Sequence, residues 1–174
     1  SHNEAKEFLN VYHIQGYDNA KIRYGAFYGD LLVGIMTFME VKKSTNQWKL
    51  NRFATNYNYH VVGLASKMLK HFERSVTPLS IVTFADRRFT LNEDRNLYTA
   101  IGFDLVGKSE PAYYYVEKNQ YIRHNRVGFM KHKLLEKYPQ FNKSMTEKQM
   151  VTQLGYDRVY DCGNLKFEKT YKCL

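Results

Sequence analysis

The sequence predicts an α/β layer fold built on a mixed sheet. Three observations lead there. Strand-like and helix-like runs follow one another in the order ββ, β, α, β, α, ββ, the pattern of a sheet covered by helices. The 174 residues fit one compact domain, and a chain of that size buries roughly 70% of its unfolded surface, enough for a core without disulfides. No internal repeat, low-complexity tract or linker breaks the pattern.

The elements follow in order. "KIRYGAFYGDLLVGIMTFMEV" reads as a hairpin, two apolar and β-branched runs about Gly29-Asp30. "WKLNRFAT" is a third strand, with Trp48, Leu50 and Arg52 alternating against Lys49, Asn51 and Phe53. Residues 63–73 form a helix, because Leu64, Met68, Leu69 and Phe72 recur at helical spacing. "LSIVTFAD" is apolar nearly throughout, as in a strand covered on both faces. A short helix is expected around Asn92 to Ala100, closed by Gly102. "FDLVGKS" and "AYYYVEKNQYI" are expected to pair as late strands around Glu110-Pro111. "RVGFMKHKLLEKY" and "SMTEKQMVTQLGY" read as helices, the second capped by Ser144 or Thr146 and stopped at Gly155. "YDRVYDCGNLKFEKTY" reads as a terminal hairpin turning at Cys162-Gly163-Asn164.

Lys and Arg number 26 against 17 Asp and Glu, a net charge of +9. That balance favours a polyanionic partner, nucleic acid or a phosphate-rich cofactor, over a merely basic surface. Cys162 and Cys173 are the only cysteines, and no Cys/His spacing suits a metal, so none is expected. Two reduced thiols fit a reducing, cytoplasmic compartment. The longest apolar run, Leu31 to Met36, is too short to span a bilayer, so no membrane partner is expected. The polar N-terminus shows no secretory signal, and Ser1-His2 read as the remnant of a tag on an excised domain.

The stretch "NYHVVGLASKMLKHF", residues 58 to 72, is the first with chemical content. It sets a glycine turn and the small Ala65 and Ser66 at the start of a helix. Free N–H groups and the positive end of the helix dipole meet there, which suits a pyrophosphate, although a plain strand-to-helix turn looks similar. On the residues "HVVGLA", "LYTAIGFDLVG" and "AFYGDLLVGIMTF", in that fold order, the chain resembles the GNAT N-acyltransferase superfamily over roughly residues 20 to 116. The resemblance implies a GNAT-like, mostly antiparallel central sheet flanked by helices within a single domain, residues 1–174. The core is expected at about 20–116, with a basic helical and hairpin extension at about 117–174. It implies acetyl-CoA or another acyl-CoA as cofactor, held by Val62, Gly63, Leu64, Ala65 and Ser66. His60 stands where the family carries Gln or Arg, so its side chain need not touch phosphate.

The chemistry so implied is attack of an amine on a thioester. It needs a neutral amine, support for the oxyanion and a proton for the leaving thiolate. By resemblance Tyr98 is the acid, and a phenol is protonated at neutral pH as that role requires. Backbone N–H groups near Phe53 to Thr55 would face the oxyanion. No general base declares itself. Arg52 lies where many relatives hold a carboxylate, and it fits either phosphate contact or an ion pair with Asp86. Asp86, beside Arg87 and Arg88, suits positioning better than proton removal.

A narrower resemblance rests on "LNRFAT", "VVGLASKML", "FADRRF", "PAYYYV", "FMKHKL" and "YDCGNLKF". These look like phage-encoded GNAT-like domains, alone or fused to homing-endonuclease-type nucleases, and are similar to Mom-type proteins that modify DNA. That implies a host-cell cytoplasmic setting and DNA as partner. Tyr113, Tyr114, Tyr115 and Tyr121 near Arg123, Arg126, Lys131 and Lys133 would stack on bases and meet phosphates, with Arg87 and Arg88 nearer the cleft. A tyrosine strand packed on a helix with a solvated basic face is the other reading of those residues. The function expected is acyl-CoA-dependent N-acylation of a nucleic-acid amine. The alternatives are a GNAT acting on a protein or small amine, and an inactive DNA-binding module serving a nuclease.

Overall fold

The computed structural model describes residues 1–120 and 122–171, so Tyr121 and Cys173 lie outside the described residues. They form two compact units. The first comprises Ser1–Ala85, Phe89–Lys108 and the chain from Leu165 onward; the second comprises Asp86–Arg88 and Ser109–Asn164.

The first unit opens with a helix the sequence reading did not include, α1 (His2–Tyr12). Ser1 and Glu4 cap it reciprocally, and it buries Ala5, Phe8 and Leu9, the spacing of a helix face. The predicted hairpin follows as β1 (Ile22–Tyr28) and β2 (Leu31–Lys42), antiparallel, and β3 (Gln47–Thr55) pairs with β2. Helix α2 (Leu64–Val76) buries Leu64, Ala65, Met68, Leu69 and Phe72. Phe72 stacks on Phe38 of β2 with ring centroids 3.6 Å apart, and burying such a ring contributes roughly 2–3 kcal/mol. Strand β4 (Ser80–Asp86) lies parallel to β3.

Helix α3 (Leu97–Ala100) is shorter than predicted. The Asn92 side chain accepts the N–H groups of Asp94 and Arg95 in a turn, and the helix waits for the cap at Asn96. After β5 (Asp104–Lys108) the second unit carries β6 (Tyr113–Glu117), β7 (Arg123–Asn125), α4 (Lys131–Lys137), α5 (Glu147–Gln153) and β8 (Tyr156–Tyr160). Thr146 caps α5, one of the two residues predicted to do so. The chain then returns to the first sheet as β9 (Asn164–Thr170).

The sheet of the first unit runs β1-β2-β3-β4-β9-β5, and that of the second runs β7-β6-β8. Two expected pairings are therefore corrected. Strands β5 and β6 do not pair, because β5 takes β9 as its antiparallel partner while β6 sits between β7 and β8. Strands β8 and β9 do not form a hairpin, because they belong to different sheets. A second core around Tyr115, Leu134, Phe141, Met150 and Val151 holds β6 to its own helices. The stretch expected as a C-terminal extension thus divides into an insertion and a returning strand. Its two ends meet where the Ser109 N–H donates to the Asn164 carbonyl at 2.8 Å. Among the described residues no helix is long and apolar enough to cross a membrane.

Candidate active site

The parallel strands β3 and β4 part company early. Their pairing covers only Gln47↔Ser80, Trp48↔Ile81 and Lys49↔Val82. Just beyond it the Thr83 hydroxyl donates to the Leu50 carbonyl at 3.1 Å. Past that point no ladder bonds join the two strands, and β3 continues to Thr55 on its own. The Asn56 N–H donates to Val33 of β2, so Ala54 and Arg52 also direct their backbone groups at β2. By alternation Phe53 and Thr55 aim theirs into the opening, the region where an oxyanion donor was expected.

The same end of β3 leads through a short loop to α2. Gly34 on β2, opposite Thr55, has so little room that a Cβ there would lie 2.7 Å from Leu64 Cδ2. That close approach seats the first residue of α2 against the open end of the strand. Gly63 caps the helix with φ of 73°, the left-handed conformation, and no side chain bonds the helix end. Leu64 N–H reaches Val61 at 3.3 Å, while among the described residues the N–H groups of Gly63, Ala65 and Ser66 have no hydrogen-bond partner. Three unsatisfied donors at a helix start suit an anion. A Cβ at Gly63 would meet no atom of the chain within 4 Å. Within the chain itself, the left-handed backbone is what calls for glycine.

Tyr98, in the first turn of α3, packs its ring on Phe167 of β9, with centroids 5.2 Å apart. Burial raises its pKa above the ordinary phenol value, with Thr83, at the point where β3 and β4 separate, opposing the shift. The Tyr98 hydroxyl therefore stays protonated at neutral pH, as the role expected of it requires. The asparagines before it serve the backbone instead, Asn96 as cap and Asn92 as turn.

A polar cluster on the other face escaped the sequence reading. Ile35 and Ala54 face α1, and Thr37 and Arg52, two residues further along their strands, share that face. A bulge between Thr37 and Phe38 leaves Asn51 without a partner across the ladder. Asp18, buried at 7% exposure, accepts the Thr37 hydroxyl at 2.8 Å and the Asn51 amide on one oxygen, Oδ2. Its other oxygen, Oδ1, is buried with no hydrogen-bond partner among the described residues. Arg52 donates to the carbonyls of Gly16 at 3.3 Å and Asn51 at 2.9 Å. Burial lowers the pKa of Arg52, and burial together with Arg52 lowers that of Lys49, with Asp18 opposing both shifts. His13 is pushed down to about 4 by burial and by Arg52, so it is neutral at pH 7. Its Nδ1 accepts the Gln15 N–H at 3.1 Å, which leaves the proton on Nε2 and no free acceptor nitrogen. Asp18 sits in a loop with no periodicity around it, so no pattern in the sequence marks it.

The remaining sequence candidates fall in the second unit. Asp86 does not serve Arg52; it forms a bidentate ion pair with Arg88, which holds its carboxyl below the usual range. Arg87 donates to the Cys162 carbonyl at 3.1 Å. Arg126 lies 4.7 Å over the Tyr113 ring and 3.5 Å from Glu147, and Lys131 donates to the Lys143 carbonyl at 2.7 Å. Arg123 and Lys133 are exposed. Tyr115 is 1% exposed and donates to Glu147 at 2.6 Å, which makes it core.

No family model and no curated protein matches the chain. Solved structures do. A Bacillus subtilis acetyltransferase in complex with CoA aligns at 11% identity over 99% of this chain and 94% of its own, with a TM-score of 0.56. The ribosomal-protein-S18-alanine N-acetyltransferase of Escherichia coli aligns at 8% identity over 99% and 88%, with a TM-score of 0.57. A GNAT family acetyltransferase from Elizabethkingia anophelis with acetyl-CoA bound aligns at 12% over 95% and 89%, with a TM-score of 0.53. The chain has the fold of the GNAT acetyltransferases.

Proposed function

We propose that this protein transfers an acyl group from an acyl-CoA to an amine carried by nucleic acid. The observation that carries the transferase reading is the parting of β3 and β4 beside the unsatisfied N-terminus of α2. Splayed strands, free N–H groups and a protonated phenol meet at one point, and they fit an acyl-CoA. Bound there, it would supply a thioester, an acyl group activated towards amines. The N–H groups of Gly63, Ala65 and Ser66 would hold pyrophosphate oxygens. Those of Phe53 and Thr55 would polarise a carbonyl oxygen placed between the strands. Tyr98 holds the proton for the departing sulfur.

The absence of an evident base has a physical answer. An amine entering beside Arg52 and Lys49 is kept neutral by those two cations, and neutral is the nucleophilic state. Asp18, buried behind them, holds the Thr37 hydroxyl and the Asn51 amide in place. Tyr98 would supply the proton that the departing thiolate needs, and the amine would lose its own proton to water.

The net charge of +9 supports a nucleic-acid acceptor, as does the resemblance to phage DNA-modification proteins. A protein or small-molecule amine is the second reading. It is favoured by the engagement of Tyr115, Arg126 and Lys131 within their own unit. The test is incubation with radiolabelled acetyl-CoA and three acceptors in parallel: a single-stranded oligodeoxynucleotide, a peptide with a free N-terminus, and spermidine. Label on the oligonucleotide is expected. Label on the peptide or spermidine alone establishes the second reading, and label on none overturns the transferase assignment.

A further inference from the structure

The second unit holds a cleft of about 360 Å³ between α5 and β8, within the roughly 300–1,000 Å³ of small-ligand sites. Lys148 and Thr152 stand one turn apart on its helical wall, and Tyr156, Arg158 and Tyr160 line the strand side. Arg158 is the unusual member. Its guanidinium lies 4.0 Å over the Tyr113 ring. It donates to the phenol oxygens of Tyr115 at 3.2 Å and Tyr160 at 3.5 Å. Its Nε is buried without a partner. Among the described residues no carboxylate bonds it, because Glu147 is taken by Tyr113, Tyr115 and Arg126. Asp157, the one acid on the rim, sits 3.9 Å from Lys118. A stacked, part-buried cation bonded only to neutral phenols, with a lysine across the cleft, leaves two positive charges to be met by a ligand. The Tyr160 ring beside them is 59% exposed.

We infer that this cleft is a nucleotide site: it takes a phosphate of single-stranded nucleic acid on Arg158 and Lys148, with the adjoining base laid against Tyr160. The site differs from the cations singled out by sequence, of which Arg126 and Lys131 are occupied. It deepens the nucleic-acid reading and rests on it, but binding is measured without acyl transfer, so either can fail alone.

The test is fluorescence anisotropy of a labelled oligothymidylate of about ten nucleotides with the full chain, across a range of salt. Lys148→Ala and Tyr160→Ala remove exposed side chains and should leave the melting temperature unchanged. The double variant should bind at least about tenfold more weakly, since one stacked base alone is worth about that much. Lys148→Ala should also reduce the salt slope by about 0.7, the value of one single-strand phosphate. Both variants should bind coenzyme A like the wild type. Absence of oligonucleotide binding at low salt, or unchanged binding by the double variant, overturns the inference.

Discussion

Tyr98 and Asp18 face the parting strands from opposite sides, and they differ in how far the sequence announced them. Tyr98 sits in a motif whose glycine and aromatic neighbours shape a short helix, so its place was legible. Removing its hydroxyl leaves the ring packed on Phe167. Tyr98→Phe should therefore lower kcat by about 100-fold while acetyl-CoA affinity and melting temperature stay nearly constant. Because burial raises its pKa, the protonated form persists beyond the ordinary phenol range, and kcat should hold steady to about pH 10 before falling. A fall in kcat at lower pH that persists in Tyr98→Phe would assign the proton to another group. Asp18 could not be found by such means. Its place comes from a bulge that frees Asn51 to bond it and from its own burial, and both are tertiary facts.

At the scale of elements, strands of the first sheet and the helix between them were readable because periodicity reports burial directly. Pairing was not. The alternation of β5, β6, β8 and β9 says which face is apolar, but not which partner each strand takes. A glycine in a turn poses the same problem, since it signals either lack of room or a left-handed backbone. At Gly63 the structure decides for the backbone. Gly63→Val should strain the turn by about 1–3 kcal/mol and weaken acetyl-CoA binding by at least about tenfold, with helix content retained by circular dichroism. Gly63→Asn, which tolerates the left-handed region, should stay within about threefold of wild type by titration calorimetry. Equal loss in both variants would restore the steric explanation.

Across the whole molecule most of the excess charge, +6 of +9, falls in the last third of the sequence, residues 117–174, but the fold divides that stretch between the two units. The second unit holds 11 of the 26 basic residues and 7 of the 17 acidic ones, so its excess is a little under half the total. Composition pointed to a polyanion without saying where it binds, because charge counts ignore which cations their own chain consumes. The site proposed for the cofactor rests on different ground, in the first unit, where backbone N–H groups at the start of α2 would do the binding. Its direct test is a calorimetric titration of acetyl-CoA into the wild-type protein. The account predicts saturable one-to-one binding with Kd between about 1 µM and 1 mM. No binding of acetyl-CoA or coenzyme A at millimolar concentration would contradict it.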